Sequence, residues 1–362
     1  MKPDRAAGRV AKSQPAKPVS LRALAEFLEL SPATVSVVMN DSPVAKSIPA
    51  HTRERIHKAA RKLNYRPNFF ARSLSLKRGF MIGVLTPELG DGYHTLVMSG
   101  IGDHLMREGF FYFSAHHRHK PDLVEEYPRM LMGRGAEGII AIDTLLTHRL
   151  PVPSVAIAGH RKISGITNIV LDHRHAAELI LRHLWDLGHR RIAFMRGQPF
   201  SSDSDDRFMN LMAVARELGI ELLPELTIQL ERDMASPELG YPVVQQLLAR
   251  KRPFTALVAF NDMSAIGAVR ALRDANLSVP RDVSVIGFDD IPAASYLMPR
   301  LTTVRQPLRA MGELAAKHLL ERIASRNGHG SRTISIAPVL VVRESTGAVR
   351  EHRRKTPRRN GQ

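Results

Sequence analysis

Cysteine is absent from all 362 residues, which removes disulfides, thiolate nucleophiles and cysteine-bound zinc or iron–sulfur centres. The first 20 residues hold no apolar run of the about 7 to 15 residues that a secretory signal needs. No later stretch approaches the roughly 18 uninterrupted apolar residues of a membrane span. The expectation is a chain that is neither exported nor membrane-bound and that suits a reducing cytoplasm. Catalytic signatures are missing as well: there is no glycine-rich phosphate loop, no Gly-x-Ser-x-Gly elbow and no His-Glu-x-x-His pair. Gly100 and Gly102 fall inside a predicted helix, the wrong setting for a dinucleotide fingerprint. His116, His117 and His119 are dense, but strand alternation puts only His117 and His119 on one face, so no metal is expected. Asp289 and Asp290 alternate across a strand end with no positioned base beside them. No cofactor and no enzymatic activity are expected.

Negative charge is also in short supply, with 35 Asp and Glu against 52 Lys and Arg, a net charge of +17. The excess is not spread evenly. Residues 1–80 carry 16 basic and 5 acidic side chains, residues 81–347 are within one charge of neutrality, and residues 348–362 carry 6 basic and 1 acidic. A basic head on a near-neutral body is what is expected when one module meets a polyanion and the other does something else. Residues 1–17 and 348–362, dominated by Pro, Gly, Arg and Lys, read as disordered basic tails.

Residues 18–66 have a core. Leu21, Leu24, Ala25 and Leu28, then Leu30, Val35, Val38 and Met39, recur at helical spacing. Ser31 is placed to cap a second helix whose first position is Pro32, where the missing N–H costs nothing. A third pattern puts Ile56, Ala60 and Leu63 on one face and Arg53, Arg55, Lys58, Arg61 and Lys62 mostly on others. A short helix, a tight turn and a second helix with small polar residues outward is the helix-turn-helix pattern. A trihelical protein-binding module would share the periodicity.

From Phe80 onward, short apolar runs alternate with amphipathic helices, which predicts parallel sheets in βαβ order. A second round begins near residue 191 and runs to the closing VLVVRES, with helices near 206–218, 238–250, 263–275 and 307–324. Two similar halves with a break near 160–175 make a cleft at the carboxyl ends of their strands. Asn261 and Asp289 stand at such ends. Arg207 is expected in the first turn of a helix, where the dipole disfavours a cation. It either pairs with Asp203, Asp205 or Asp206 or points into the cleft.

The run Ala25 to Asn40, with its Leu-Ser-x-x-Thr-Val-Ser-x-Val-x-Asn core, is followed by Thr-Arg-Glu-Arg-Ile, Leu-Asn-Tyr-x-Pro-Asn and Ala-Arg-Ser-Leu. It resembles the LacI/GalR family of bacterial repressors, and the likeness extends from residue 19 to about residue 347. The resemblance implies a fold with an all-α helix-turn-helix head and a two-lobed, periplasmic-binding-protein-like α/β body of doubly wound parallel sheets. It implies a homodimer on a near-palindromic double-stranded DNA operator, controlled by a small polar effector such as a sugar or sugar derivative. Residues 67–79 would be a hinge helix that orders on DNA, with Asn68 as cap, Ala71 among its apolar contacts, and Leu74 as the wedge that enters between base pairs from the minor groove. Pro32, Ala33 and Val37 can touch thymine methyls, and Val37 replaces an arginine often found there. Ser31, Thr34, Ser36, Asn40, Tyr65 and the third-helix cations would serve phosphates. The loop from Asp41 to Ile48 is longer than usual, and Pro49 stands where a capping serine is common. In the cleft, Arg207 takes an effector-binding role by resemblance, and Asp91, Tyr93 and His94 match the position where the family presents polar and aromatic groups. Whether the effector releases or promotes DNA binding is open. Two rivals are a sugar-type binding protein without DNA function and a metabolic enzyme on the same fold.

Overall fold

The structure is a computed structural model that describes residues 19–40, 42–65, 78–90, 92–159, 162–231, 239–325 and 330–349. It divides into two compact units, one ending at Gly79 and one beginning at Phe80.

In the first unit, α1 (Leu21–Leu28) starts at Ser20, whose Oγ accepts the Ala23 N–H at 3.1 Å, and stops where Glu29 turns left-handed. α2 (Pro32–Met39) starts at Ser31, whose Oγ accepts the Thr34 N–H at 3.1 Å. α3 (Ala50–Lys62) is entered from Pro49 with no side-chain cap, after a 3-10 turn over Pro43–Ser47 takes up the long loop. Leu24, Leu28, Val35, Val38, Ile56 and Ala60 form the core. At roughly 1.5–3 kcal/mol for each large aliphatic chain fully withdrawn from water, this small cluster holds the three helices together.

The second unit holds two six-stranded sheets. The first takes β1 (Met81–Thr86), β2 (Phe111–His116), β3 (Ala136–Ile142), β4 (Ser154–Ile157) and β5 (Ile166–Leu171), with α4 (Tyr93–Arg107) and α5 (Pro121–Gly133) between strands. The chain then crosses to the second lobe and forms α6 (His173–Asp186), β6 (Ile192–Arg196), α7 (Ser202–Glu217), β7 (Thr227–Gln229), α8 (Gly240–Ala249), β8 (Ala256–Val258), α9 (Asp262–Asp274), β9 (Ser284–Asp289) and β10 (Thr302–Arg305). α10 (Leu308–Ala324) and β11 (Arg332–Ile336) return to the first lobe, and β12 (Val339–Val341) closes the second sheet.

The expected assignment of the helix near 307–324 to the second half is therefore wrong. α10 packs against α4 in the core of the first lobe. The reason is steric. A Cβ on Gly100 would lie 1.9 Å from the Arg309 carbonyl oxygen, and one on Gly312 would lie 2.1 Å from that of Val97, so two helix backbones touch where neither carries a side chain. All-parallel pairing also fails at one edge, because β12 runs antiparallel to β10. The apolar pattern does not announce the helix at 173–186 or the strands β10 and β11. The three crossovers lie at residues 172, 306–307 and 337–338, and the Asp172 N–H donates to the Ile336 carbonyl at 2.9 Å, tying the first to the third.

Candidate functional site

On the head, Ser31, Pro32 and Ala33 are exposed, whereas Thr34, Ser36, Val37 and Asn40 are half-buried. Part of that chemistry is spent internally. Ser31 Oγ and Thr34 Oγ1 share a hydrogen bond of 2.8 Å at the helix start, and Asn40 Nδ2 donates to Ser36 Oγ at 3.2 Å. Val37 and Tyr65 lay part of their surface on the core. Among the third-helix cations, Arg55 donates to the Leu28 carbonyl, closing the carboxyl end of α1, so it is a tie between helices rather than a free cation. Asn68, Ala71 and Leu74 lie outside the described residues, as does Asp91.

In the body, the strands of both sheets end on one cavity of about 110 Å³. That is several times the roughly 10–15 Å³ that one water needs on the same measure. Tyr93, His94, Arg207, Asn261 and Asp289 all line it, so the structure brings together every cleft residue expected from the sequence that it describes. His119, Asp143, Phe200, Asp203 and Phe260 line it too. Asp143 follows β3 and was findable by the same strand-end logic. Phe200 sits in a loop and left no periodic signal.

Arg207 is not in the first turn. α7 begins at Ser202, with Ser201 as its cap and Asp203 and Asp205 in the first turn, where acids complement the dipole. Arg207 lies one turn further on and is 6% exposed. Its guanidinium carbon stands 3.7 Å from the Phe288 ring centroid and 4.6 Å from that of Phe260. It donates to the Phe260 carbonyl at 2.5 Å and to Asp203 Oδ2. The two alternatives left by the sequence hold together: Arg207 is ion-paired within its helix, and it lines the cleft. Its Nε is buried and, among the described residues, has no hydrogen-bond partner. Asp203 Oδ1 accepts from His173 Nε2 at 2.8 Å, and His173 is the first residue of α6, beside the first crossover.

Asn261 caps α9: its Oδ1 accepts the Ser264 N–H at 2.9 Å, while Ser264 Oγ accepts the Asn261 N–H at 3.1 Å. Next to it, Asp262 is fully buried, accepting from Thr303 Oγ1 at 2.6 Å and from the Ile291 N–H at 2.9 Å. Burial, then the charge of Asp289, lift its carboxyl well above the usual range. That second bond pins a strained turn. Asp289 and Asp290 have φ of 116° and 57°, which non-glycine residues rarely adopt in succession. Asp290 takes 2.6 Å bonds from Arg305 and Arg343, and Asp289 takes one of 2.6 Å from Gln306. Burial pushes the Asp289 carboxyl up to about 7, against the opposing pull of Arg207.

The histidines sit on the facing lobe. Burial, followed by repulsion from His119, His117 and His116, holds His94 down to about 4, and its Nε2 makes no hydrogen bond among the described residues. His117 is held at about 4 by burial and bonds to Thr144 Oγ1 at 2.9 Å. Strand alternation is not what relates His117 and His119. β2 ends at His116, and left-handed Arg118 and His119 turn the rings edge to face at 5.8 Å. His119 in turn stacks on Phe200 of the other lobe, with ring centroids 4.0 Å apart. Among the described residues no three His, Asp or Glu side chains are grouped to hold a metal ion.

Residues 24–68 match the model described as bacterial regulatory proteins, lacI family, and residues 181–346 match a periplasmic binding protein-like domain. The HTH-type transcriptional repressor PurR of Erwinia tasmaniensis is 30% identical over 346 residues, spanning 92% of this chain and 99% of that protein. The chain belongs to the lacI family. PurR of Haemophilus influenzae is 27% identical over 91% of the chain and 99% of its own length. Among solved structures, a lac repressor dimer bound to operator and an anti-inducer superposes with a TM-score of 0.80 at 27% identity, covering 92% of this chain and all of that one. A LacI family regulator from Enterococcus faecium with bound ribose gives 0.65 at 25% identity over 75% of this chain and all of its own. PurR and the lac repressor are transcriptional repressors rather than enzymes, the E. faecium protein is a transcriptional regulator, and this member of the lacI family is a transcriptional regulator of the same type.

Proposed function

We propose that the chain is a cytoplasmic, homodimeric repressor whose residues 18–66 read an operator, whose residues 67–79 form the hinge, and whose residues 80–347 bind a small polar effector such as a sugar or sugar derivative. The observation that carries this reading is the cleft: Arg207 from α7 and Asn261 and Asp289 from two strand ends of the same lobe converge on Tyr93 and His94 of the other. Hydrogen-bond donors and acceptors in a cavity walled by Phe200, Phe260 and Tyr93 suit a hydroxyl-bearing ring. The ribose bound by the E. faecium regulator supports the same class.

On DNA, exposed Pro32 and Ala33 and half-buried Val37 offer thymine methyls apolar contact but no bidentate hydrogen bonds, so readout leans on shape, on the Leu74 wedge and on duplex deformability. Ser31, Thr34, Ser36, Asn40 and Tyr65 set register on the DNA backbone, while Asn68 caps the hinge helix and Ala71 adds to its apolar contacts. The body switches the head through differential affinity of the effector for two lobe arrangements. Among the described residues no helix is long and apolar enough to cross a membrane.

Thermal-shift screening of ribose, cellobiose and related sugars, and of purine bases and nucleosides, tests the cleft. At least one compound protects the parent, and Arg207→Ala removes that protection. If nothing protects, or the substitution changes nothing, the cleft assignment is wrong. Salt-titrated binding to selected genomic fragments and to random duplex tests the head. Leu74→Ala lowers specific affinity and leaves generic affinity nearly intact.

A further inference from the structure

Among the described residues, Arg207 is the one lysine or arginine lining the cavity, and Asp203 meets it there before any ligand does. Both are withdrawn from water, with side chains 7% and 11% exposed. Asp203 cannot swing away, because its other oxygen is held by His173 Nε2 at 2.8 Å, and His173 is itself buried. Arg207 is fixed in turn by the Phe260 carbonyl and by the Phe288 and Phe260 rings. The pair is a rigid unit with its charge already compensated.

The rest of the lining does not restore a positive field. Glu88, Asp143 and Asp289 face the same space, and His94 lies beside it in its neutral form with a buried Nε2 that has no hydrogen-bond partner among the described residues. A phosphate or carboxylate entering here would be desolvated among acids, with no lysine or arginine among the described lining residues left to neutralise it, which is costly. Hydroxyls meet no such penalty. They can accept from the Asn261 amide and the cavity-facing edge of the Arg207 guanidinium and donate to Asp289.

We propose that Asp203 is the residue that sets the charge of the ligand: the cleft takes an uncharged, hydroxyl-rich compound and rejects its phosphate ester or its acid. This rests on the effector reading of the cleft and narrows it. Arg207 acts as an oriented donor and a platform, not as an anion receptor.

The test uses matched probes on the full chain: D-ribose with D-ribose 5-phosphate, D-glucose with D-gluconate, and inorganic phosphate. Each is titrated by thermal shift and calorimetry against the parent, Arg207→Ala and Asp203→Asn. Anions also reach the basic ends of the chain, so only binding that Arg207→Ala abolishes is scored. The expected result is no such binding of any anionic probe to the parent, and a gain of at least tenfold in affinity for an anionic probe in Asp203→Asn. Arg207-dependent binding of an anion to the parent overturns the proposal without any variant at position 203 having to fold. A folded Asp203→Asn that gains no anion affinity overturns it equally. If no neutral probe shows Arg207-dependent binding, the panel counts against the effector reading, while the anion titrations of Asp203→Asn still decide the charge rule.

Discussion

Asp289 accepts a 2.6 Å hydrogen bond from Gln306, the residue at which the chain leaves the second lobe for the first. Both side chains are buried, and the Gln306 N–H also reaches the Asp289 carbonyl at 3.4 Å. A cleft carboxylate is thus tied to an interlobe crossover, as Asp203 is tied through His173 to another. Contacts made by a ligand at Asp289 and Arg207 therefore act on groups whose other partners sit where the lobes are joined.

Gln306→Leu keeps the volume and removes the donor. The buried Asp289 carboxyl loses its partner, at a cost of about 1–3 kcal/mol. Chemical denaturation should show a lower midpoint at pH 8, where the carboxylate is charged, with a smaller loss at pH 5. A variant as stable as the parent at both values would remove Gln306 from the account of the crossover.

Asp289 itself makes a pH prediction. A carboxyl raised to about 7 is favoured in its neutral form by the folded state. The stability this confers is complete below the unfolded value near 4 and is lost as pH rises through 7. Asn cannot ionise, so Asp289→Asn should gain stability relative to the parent between pH 5 and pH 8. The ceiling is on the order of 4 kcal/mol, since each tenfold change in proton affinity between the folded and unfolded states is worth about 1.4 kcal/mol. His94 and His117 oppose this trend, since their lowered values withdraw stability as pH falls from about 6.5 to 4, but they are common to both proteins and cancel. A difference in melting temperature that is flat across this range would show that Asp289 is ionised throughout.

The α4–α10 crossing gives a sharper contrast. At Gly100 an added Cβ meets backbone, which cannot move aside, so Gly100→Ala should cost about 3 kcal/mol or prevent the first lobe from closing. Gly133, at the end of α5, has nothing within 4 Å of an added Cβ and no positive φ. Gly133→Ala should be neutral or stabilising by about 0.5–1 kcal/mol through helix propensity. Equal effects at the two sites, measured by thermal unfolding, would mean that the helices do not touch as described.

How much of this was legible in the sequence depended on range. Ser31 and Pro32 announce the start of α2 because capping is settled within four residues. Asn261 and Asp289 stand out because a strand end in an open sheet is a ligand-facing place whichever strand it is. The lobe to which α10 belongs was not legible. It is decided by Gly100 and Gly312, which are 212 positions apart in the chain and meet only after folding. The position of Arg207 differs from expectation by one turn because the helix is capped at Ser201, several residues earlier than its apolar pattern begins. The Asp203–Arg207 pair was one of two open alternatives, since helical spacing shows that two side chains can meet but not that both then line a cavity.

The last prediction concerns the dimer. β2 is an edge strand of the first sheet, and it leaves Tyr112 and Phe113 exposed on its two faces, while Met106 on the preceding helix is 73% exposed. An uncovered apolar edge is a template for association unless something covers it. A second copy of the chain is the occupant predicted here, since the chain superposes on a repressor that is a dimer on its operator. Phe113→Lys combined with Met106→Lys puts like charges opposite one another across a two-fold contact without touching the core of the lobe. Sedimentation should show the dimer dissociating at concentrations at least a hundredfold above those of the parent, with the melting of the monomeric body little changed. Specific binding to a selected palindromic fragment should weaken in step, because two heads are needed to span it, whereas generic DNA binding should persist. A double variant that stays dimeric at nanomolar concentration would place the two-fold contact elsewhere on the body.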